Sequence, residues 1–143
     1  MRYRTSPLKK LILIVGNPVV VLYTAPSAPD TDFHVRIVDE EPCGKALEIS
    51  SGAIRLRHQN GLYKEELIEP NQPIKLEIKM GPTACLFKPG HIIRLEITSS
   101  DFPSYDRNHN TGGNDLFEDK MVIAKQTVFH QAGMESHLKL PVL

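Results

Sequence analysis

Tryptophan is absent from this chain of 143 residues, and phenylalanine and tyrosine together supply only 6% of it. Cysteine is scarce as well, since only Cys43 and Cys85 occur. Two cysteines are too few for a disulfide framework or a structural zinc site. We therefore expect both to be free thiols, as is usual in the cytoplasm.

The chain also lacks a long apolar run and an excess of charge of either sign. Its first apolar run, residues 11–15, is much shorter than the roughly 18 residues of a membrane-spanning helix and lacks the flanks of a secretory signal. Lysine plus arginine and aspartate plus glutamate both number 17, so the formal net charge is zero. Nucleic acids and anionic membranes bind proteins through basic surfaces, so we expect neither as a partner. Because no targeting signal or membrane-spanning run is evident, we expect a cytoplasmic protein.

Sequence motifs of catalysis are missing. The chain contains no Gly-x-Ser-x-Gly nucleophile elbow, no His-Glu-x-x-His zinc motif and no glycine-rich phosphate loop. Its six histidines are scattered singly, which is typical of surface or packed residues rather than of metal ligands. We therefore expect no catalytic residue, no cofactor-binding residue and no metal ligand in the chain itself.

One pair of carboxylates needs a separate interpretation. Asp30 and Asp32 lie two residues apart, a spacing that would suit part of a calcium site, but the full EF-hand loop is absent. We favour a turn that caps the start of the strand predicted from Phe33.

Period-two alternation is the dominant pattern of the chain. In residues 74–80, for example, apolar side chains alternate with lysine and glutamate, which places one face on a core and the other in water. Many short strands separated by turns, without a sustained helical stripe, predict an all-β antiparallel sandwich or barrel. We expect one domain over residues 1–143, with a helical turn or two or an irregular loop at residues 62–68. The predicted strands are residues 11–15, 19–23, 33–38, 53–57, 74–80, 93–98, 122–124 and 138–142.

The longest segment without strand character is residues 99–114. A connection of this length in a compact domain is either disordered or functional, and its aromatic residues argue against disorder. Two interpretations stay open. In one, the loop satisfies itself, with Asp106 accepting backbone N–H groups and Arg107 bridging to a carboxylate; in the other, it docks on another domain. The candidate docking residues are Phe102, Pro103, Tyr105, Asp106, Arg107, Asn108 and Asn110.

Six ordered motifs run through nearly the whole chain. The most specific is Phe-Pro-x-Tyr-Asp-Arg-Asn-x-Asn-Thr-Gly at residues 102–112. The other five lie at residues 3–8, 27–33, 52–57, 87–100 and 136–141. Together these motifs resemble the C-terminal domain of the cocaine esterase / X-Pro dipeptidyl-peptidase (CocE/NonD) family of serine hydrolases.

The resemblance implies a jelly-roll β-sandwich similar to galactose-binding domains. It also implies a non-catalytic module that follows an α/β-hydrolase domain, because the family's serine, aspartate and histidine all lie in that earlier domain. The expected partner is therefore a hydrolase catalytic domain, in cis or in trans. The expected role is to pack on that domain and help shape its substrate pocket, in enzymes that cleave acyl esters, amides or X-Pro peptides.

Two further possibilities concern a chain without such a partner. A free-standing carbohydrate-binding or protein-interaction module would share the same fold. For sugars, the chain offers only Tyr23, Tyr63 and Tyr105 as candidate aromatic platforms. A module without its hydrolase domain would also expose a surface meant to be covered, so we expect a homodimer or weak oligomer through that surface.

Overall fold

The computed structural model describes residues 1–143, and its regular structure is almost entirely β-strand. It contains twelve strands and one short 3₁₀ turn, with no α-helix. No helix that could span a membrane is present. The elements are β1 (Arg2–Arg4), β2 (Ile12–Gly16), β3 (Val19–Pro26), β4 (Asp32–Glu40), β5 (Ala46–Arg55), the 3₁₀ turn (Leu56–His58), β6 (Ile74–Lys79), β7 (Thr83–Phe87), β8 (Ile92–Thr98), β9 (Gln126–Val128), β10 (His130–Gln131), β11 (Met134–Glu135) and β12 (His137–Lys139).

The first sheet has four antiparallel strands in the order β1-β8-β4-β5. Its strand β4 buries one face completely, because Phe33, Val35 and Ile37 alternate along it. The pairing of β4 with β5 places Asp32 directly opposite Arg55. This register brings two opposite charges together at one end of the sheet.

The second sheet is built around β3, which pairs with β6 on one side and with β12 and β9 in succession on the other. Residues Val20, Val21 and Leu22 are all buried, so β3 is covered on both faces. This explains why its sequence reads as a continuous apolar run rather than an alternation. A separate pair, β2 and β7, is joined to the C-terminal segment by the bridge between Ile14 and Val142.

The core lies between the two larger sheets. β4 and β8 contribute side chains from the first sheet, and β3 and β6 contribute side chains from the second. Phe87 from β7 and Leu56 from the 3₁₀ turn complete the core and are fully buried. The antiparallel β-sandwich predicted from the alternation is therefore confirmed. The buried cluster consists of Ile14, Val20, Leu22, Phe33, Val35, Ile37, Leu56, Ile68, Leu76, Ile78, Met80, Phe87, Ile93, Leu95 and Ile97.

The two sheets come into very close contact at Gly52 in β5. A Cβ atom at this position would lie 2.5 Å from the carbonyl oxygen of Lys79 and 3.1 Å from the Cα atom of Met80. Real side-chain carbons do not approach backbone that closely, so β5 can lie against the end of β6 only because residue 52 is glycine.

Some predicted elements differ from the observed ones. Residues 122–124 are not a strand, because Val122 and Ile123 lie exposed in an irregular segment with no strand beside them. The strand predicted at residues 53–57 begins earlier and ends at Arg55, where the chain turns into the 3₁₀ turn. Residues 62–68 form an irregular loop, which was one of the two predicted alternatives.

Residues 99–125 connect β8 to β9 without forming a strand. This connecting segment is longer than the sequence pattern predicts, because residues 122–124 belong to it. It lies beside the end of the first sheet where β4 begins and β5 ends, as the contacts described next show.

Candidate functional site

Two arginine–aspartate pairs lie beneath the connecting segment, and all four residues except the half-buried Arg55 are buried. Arg55 donates from Nε and Nη2 to the two carboxylate oxygens of Asp32, and both distances are 2.9 Å. Arg57 donates its backbone N–H to Asp30 Oδ1 at 2.9 Å and its Nε–H to Asp30 Oδ2 at 2.7 Å. Asp30 is completely buried, and such a charge is tolerated only when its oxygens are paired.

The connecting segment contributes an amide and a third carboxylate to these pairs. The Nδ2 group of Asn108 donates to Asp30 Oδ2 and Asp32 Oδ1, both at 2.8 Å. Asp115 accepts from Arg55 Nη1 at 2.9 Å. We call these six residues the anchor network. Its members are Asp30, Asp32, Arg55, Arg57, Asn108 and Asp115.

The anchor network holds the connecting segment without any strand pairing. The backbone N–H of His109 donates to Asp115 Oδ1 at 2.9 Å, and Arg57 Nη1 donates to the carbonyl of Gly113 at 2.9 Å. The hydrogen bonds to Asp32 raise the pKa of the Arg55 guanidinium above its ordinary value, so this cation stays charged. Residues 106–115 are therefore fixed by buried ionic contacts.

A second contact attaches the same segment to β4. The ring of Tyr105 lies 4.8 Å from the ring of His34, centroid to centroid, on the face of β4 that points away from the core. His34 is buried, and neither of its ring nitrogens has a hydrogen-bond partner. Burial lowers the pKa of His34, although Asp32 and Asp101 act to raise it.

The connecting segment exposes several large apolar side chains. Phe117 is 87% exposed and Ile123 is 91% exposed, which is unusual for side chains of this size. Leu67 from the loop after the 3₁₀ turn touches Gly112, so the two irregular regions adjoin. We call this surface the docking face. It consists of Leu62, Tyr63, Leu67, Phe102, Tyr105, Leu116, Phe117, Met121, Val122 and Ile123, which are ten of the eighteen large apolar side chains exposed in the whole chain.

A polar cleft of about 690 Å³ opens within the docking face. Phe102 and Leu116 supply its apolar wall, and Arg55, Arg57 and Arg107 supply cationic groups. No serine, threonine or cysteine lines it, so the cleft offers no hydroxyl or thiol nucleophile. No group of three or more His, Cys, Asp or Glu side chains is placed to hold a metal ion.

The structure separates the seven candidate docking residues into two groups. Asn108 is buried in the anchor network, and Asn110 donates from Nδ2 to the Val122 carbonyl at 2.8 Å. These two side chains therefore shape the segment from inside. The other five are exposed, and they are Phe102, Pro103, Tyr105, Asp106 and Arg107.

Sequence reasoning did not foresee the anchor network. Asp30 and Asp32 accept hydrogen bonds from Arg55, Arg57 and Asn108, and the predicted cap of the turn before β4 is not among their contacts. Arg55 and Arg57, the partners of these aspartates, are two residues apart near the end of a predicted strand. That spacing alone indicates that their side chains lie on the same side of the chain. Asp115 could not be predicted as a member of the network, since it lies just outside residues 99–114, the segment singled out from the sequence.

Comparison with known proteins identifies the family of this chain. The family described as the X-Pro dipeptidyl-peptidase C-terminal non-catalytic domain matches residues 1–139. The chain belongs to this family. The C-terminal non-catalytic domain is 35% identical over 143 residues to the cocaine esterase of Rhodococcus sp. (strain MB1 Bresler), an alignment that covers 99% of this chain and 25% of that protein. A putative serine esterase of Mycobacterium tuberculosis is 26% identical over 118 residues.

Solved structures agree with this membership. The domain matches an aminopeptidase from the marine sediment archaeon Thaumarchaeota archaeon with a TM-score of 0.95 and 26% identity, over 100% of this chain and 25% of that one. An α-amino acid ester hydrolase matches with a TM-score of 0.95 and 28% identity, over the same shares of the two chains. The chain thus spans about a quarter of the length of these relatives, and it is their accessory, non-catalytic portion.

Proposed function

We propose that the docking face packs on an α/β-hydrolase catalytic domain, in cis or in trans, and helps to close that domain's substrate pocket. The observation that carries this proposal is the concentration of exposed apolar side chains on a segment fixed from beneath by the anchor network. A large apolar patch on a soluble protein marks an interaction surface.

The fixed position of residues 106–115, which adjoin the docking face, supports the proposal in a second way. Binding costs free energy when loops must be ordered at the interface. Here Asn108 and Asp115 already hold the middle of the connecting segment in place through hydrogen bonds of 2.8 to 2.9 Å. Part of the ordering cost is therefore met when the domain folds.

The activity of the whole protein follows from its relatives and is part of the proposal. Proteins similar to this chain are named cocaine esterase, aminopeptidase and α-amino acid ester hydrolase. We infer that the full-length parent is a serine hydrolase that cleaves acyl esters, amides or X-Pro peptides, with its triad in the catalytic domain. The two free thiols, Cys43 and Cys85, favour the cytoplasm as its location.

The test is a double substitution of Phe117→Ser and Ile123→Ser in the full-length hydrolase that carries this chain. Both side chains are almost fully exposed in the chain itself, so their loss leaves its core intact. Buried apolar anchors at interfaces contribute about 1–2 kcal/mol each, so docking should weaken by roughly 2–4 kcal/mol. Hydrogen exchange of residues 99–125 measures docking, and turnover of a nitrophenyl ester measures the effect on the pocket.

Leu47→Ser is the matched control. Leu47 is also exposed, but it lies at the opposite end of β5 from Arg55. We expect this variant to keep wild-type protection and turnover. Equal protection and equal turnover in all three proteins would rule out the docking role, and specific sugar binding on a glycan array would favour the carbohydrate-binding alternative instead.

A further inference from the structure

Arg107 differs from every other arginine in the chain. Seven arginines occur, and six of them form an ion pair with an aspartate or glutamate side chain. Arg107 forms no ion pair and donates no hydrogen bond, although it lines the polar cleft. The bridge from Arg107 to a carboxylate, which belonged to the self-satisfied interpretation of the loop, is therefore not formed.

Stacking holds the Arg107 guanidinium in place of an ion pair. Its central carbon lies 4.5 Å from the centroid of the Phe102 ring. An aromatic platform restrains the plane of a guanidinium through a cation–π contact and leaves the N–H groups at its edge available. The side chain is thus oriented before any partner arrives, which reduces the entropy lost when two hydrogen bonds form to one ligand.

The acidic groups of the cleft do not neutralise this cation. Asp115 is already engaged by Arg55 and by the backbone of His109. Asp106 and Glu65 also line the cleft, but neither forms an ion pair with Arg107. The donors of Arg107 are therefore not used within the chain and are available to solvent or to a partner.

We propose that Arg107 receives the carboxylate of an aspartate or glutamate side chain on the hydrolase domain, as a charged contact at the polar cleft beside the apolar side chains of the docking face. This inference rests on the proposed function, because it names the partner group at the same interface. Bidentate pairing suits a guanidinium and a carboxylate in particular. Phe102 and Leu116 exclude water from the pair once the surfaces meet, which strengthens it relative to an exposed ion pair.

This arrangement would set orientation as well as affinity. Apolar contacts are non-directional, so a patch of leucine, isoleucine and phenylalanine alone permits several docked poses. A single charge pair within such a patch penalises every pose in which either charge is buried alone. Arg107 would therefore select one register between the two domains.

The first measurement is hydrogen exchange of residues 99–125 in the full-length hydrolase and in the 143-residue chain. In the wild type, residues 99–125 should exchange more slowly in the full-length hydrolase than in the 143-residue chain. Arg107→Met keeps the apolar stem but removes the charge, and it should speed exchange at the docking face by roughly tenfold or more. The protection should also weaken with added salt in the wild type and should be insensitive to salt in Arg107→Met.

The second measurement identifies the partner group by zero-length cross-linking. In Arg107→Lys, a carbodiimide should couple the new amine at position 107 to an aspartate or glutamate of the hydrolase domain, which peptide mass spectrometry would locate. Arg2→Lys is the matched control, because Arg2 is exposed and pairs with Glu96 at 3.3 Å within the chain. It should give a cross-link to Glu96 and none to the hydrolase domain.

The outcomes separate the two proposals. No added protection in the wild-type full-length protein overturns the docking role and this inference together. Protection that is unchanged in Arg107→Met overturns only the proposed pairing of Arg107 with a carboxylate of the hydrolase domain. So does a cross-link from position 107 only to Asp106, Glu65 or Asp115, or no cross-link there while the Arg2→Lys control couples to Glu96.

Discussion

Asp30 has no exposed surface, yet both of its carboxylate oxygens accept hydrogen bonds. Arg57 supplies donors to each oxygen, and Asn108 supplies a further donor to one of them. Asn108 is the neutral member that reaches both Asp30 and Asp32, so it links the two ion pairs without adding charge. Buried ionic groups of this kind contribute specificity more than net stability, because desolvation offsets much of the attraction.

His34 gives the chain a predictable response to acid. Its pKa lies below the usual value of 6.5 because burial disfavours the charged ring. The unfolded chain therefore binds this proton more readily than the folded chain, and folding stability falls as the pH drops below about 6.5. Groups around the ring are Asp32, Asp101, Arg36 and Arg55, with Tyr105 stacked on it.

We expect His34→Phe to reduce this loss of stability in acid, since phenylalanine keeps the stacking on Tyr105 and takes up no proton. Urea unfolding of both proteins at about pH 7.5 and about pH 5 measures the effect. His137→Phe is the matched control for replacing a histidine by phenylalanine, because His137 is exposed on β12. The assignment to His34 fails if wild type and His34→Phe lose equal free energy between the two pH values.

Among the elements, β5 has the tightest packing requirement. Its residue Gly52 touches the backbone at Lys79 and Met80, and backbone cannot move aside as a flexible side chain can. We expect Gly52→Ala to destabilise the fold by about 1–3 kcal/mol, the usual effect of forcing an extra methyl group into a packed region. Chemical denaturation at neutral pH measures this change.

Gly81→Ala separates the steric effect from any general intolerance of glycine replacement. The nearest atoms to a Cβ at Gly81 are the Ser51 carbonyl oxygen at 3.8 Å and Ser50 Oγ at 3.9 Å, which is ordinary contact. This variant should have nearly wild-type stability. A loss at Gly52 no larger than the loss at Gly81 would contradict the close approach of the two sheets.

The elements also show which parts of the structure the sequence can predict. Strands with one buried face, such as β4, β6 and β8, follow their alternation closely. The short strands β9, β10 and β11 were missed because two or three residues are too few to show a period. The strand predicted at Val122 and Ile123 was wrong, because exposed apolar residues have the same composition as a buried strand.

The site was predicted only in part for a similar reason. Phe102, Tyr105 and Arg107 stood out as aromatic and charged residues in a long connection, and all three lie at the surface there. The anchor network depends on contacts between residues 76 and 78 positions apart, as for Asn108 with Asp32 and Asp30. No local pattern encodes such contacts, because they join residues that only the folded chain brings together.

At the scale of the whole molecule, the docking face should make the isolated chain self-associate. An apolar patch of ten side chains has no cover within the chain, and a second copy presents the same surface. We expect the 143-residue chain to form a weak homodimer or oligomer whose population rises with concentration, measured by analytical ultracentrifugation.

The same substitutions test this prediction. Phe117→Ser combined with Ile123→Ser should shift the chain to monomer, and Leu47→Ser should leave the equilibrium unchanged. A wild-type chain that stays monomeric over the whole concentration range would contradict the prediction. Association that Leu47→Ser abolishes would move the contact to another surface.

The position of the anchor network also dictates an order of assembly. Asp32 and Arg55 are opposite one another in the β4–β5 ladder. The ion pair that binds the connecting segment therefore forms only when that hairpin has closed. Asn108 binds Asp30 and Asp32 on the β4 side, whereas Asp115 binds Arg55 at the end of β5, so the two attachment points come together only when the hairpin closes. We therefore expect the connecting segment to take its final shape after the hairpin closes, and an arrested hairpin would leave its exposed apolar side chains on a loose segment.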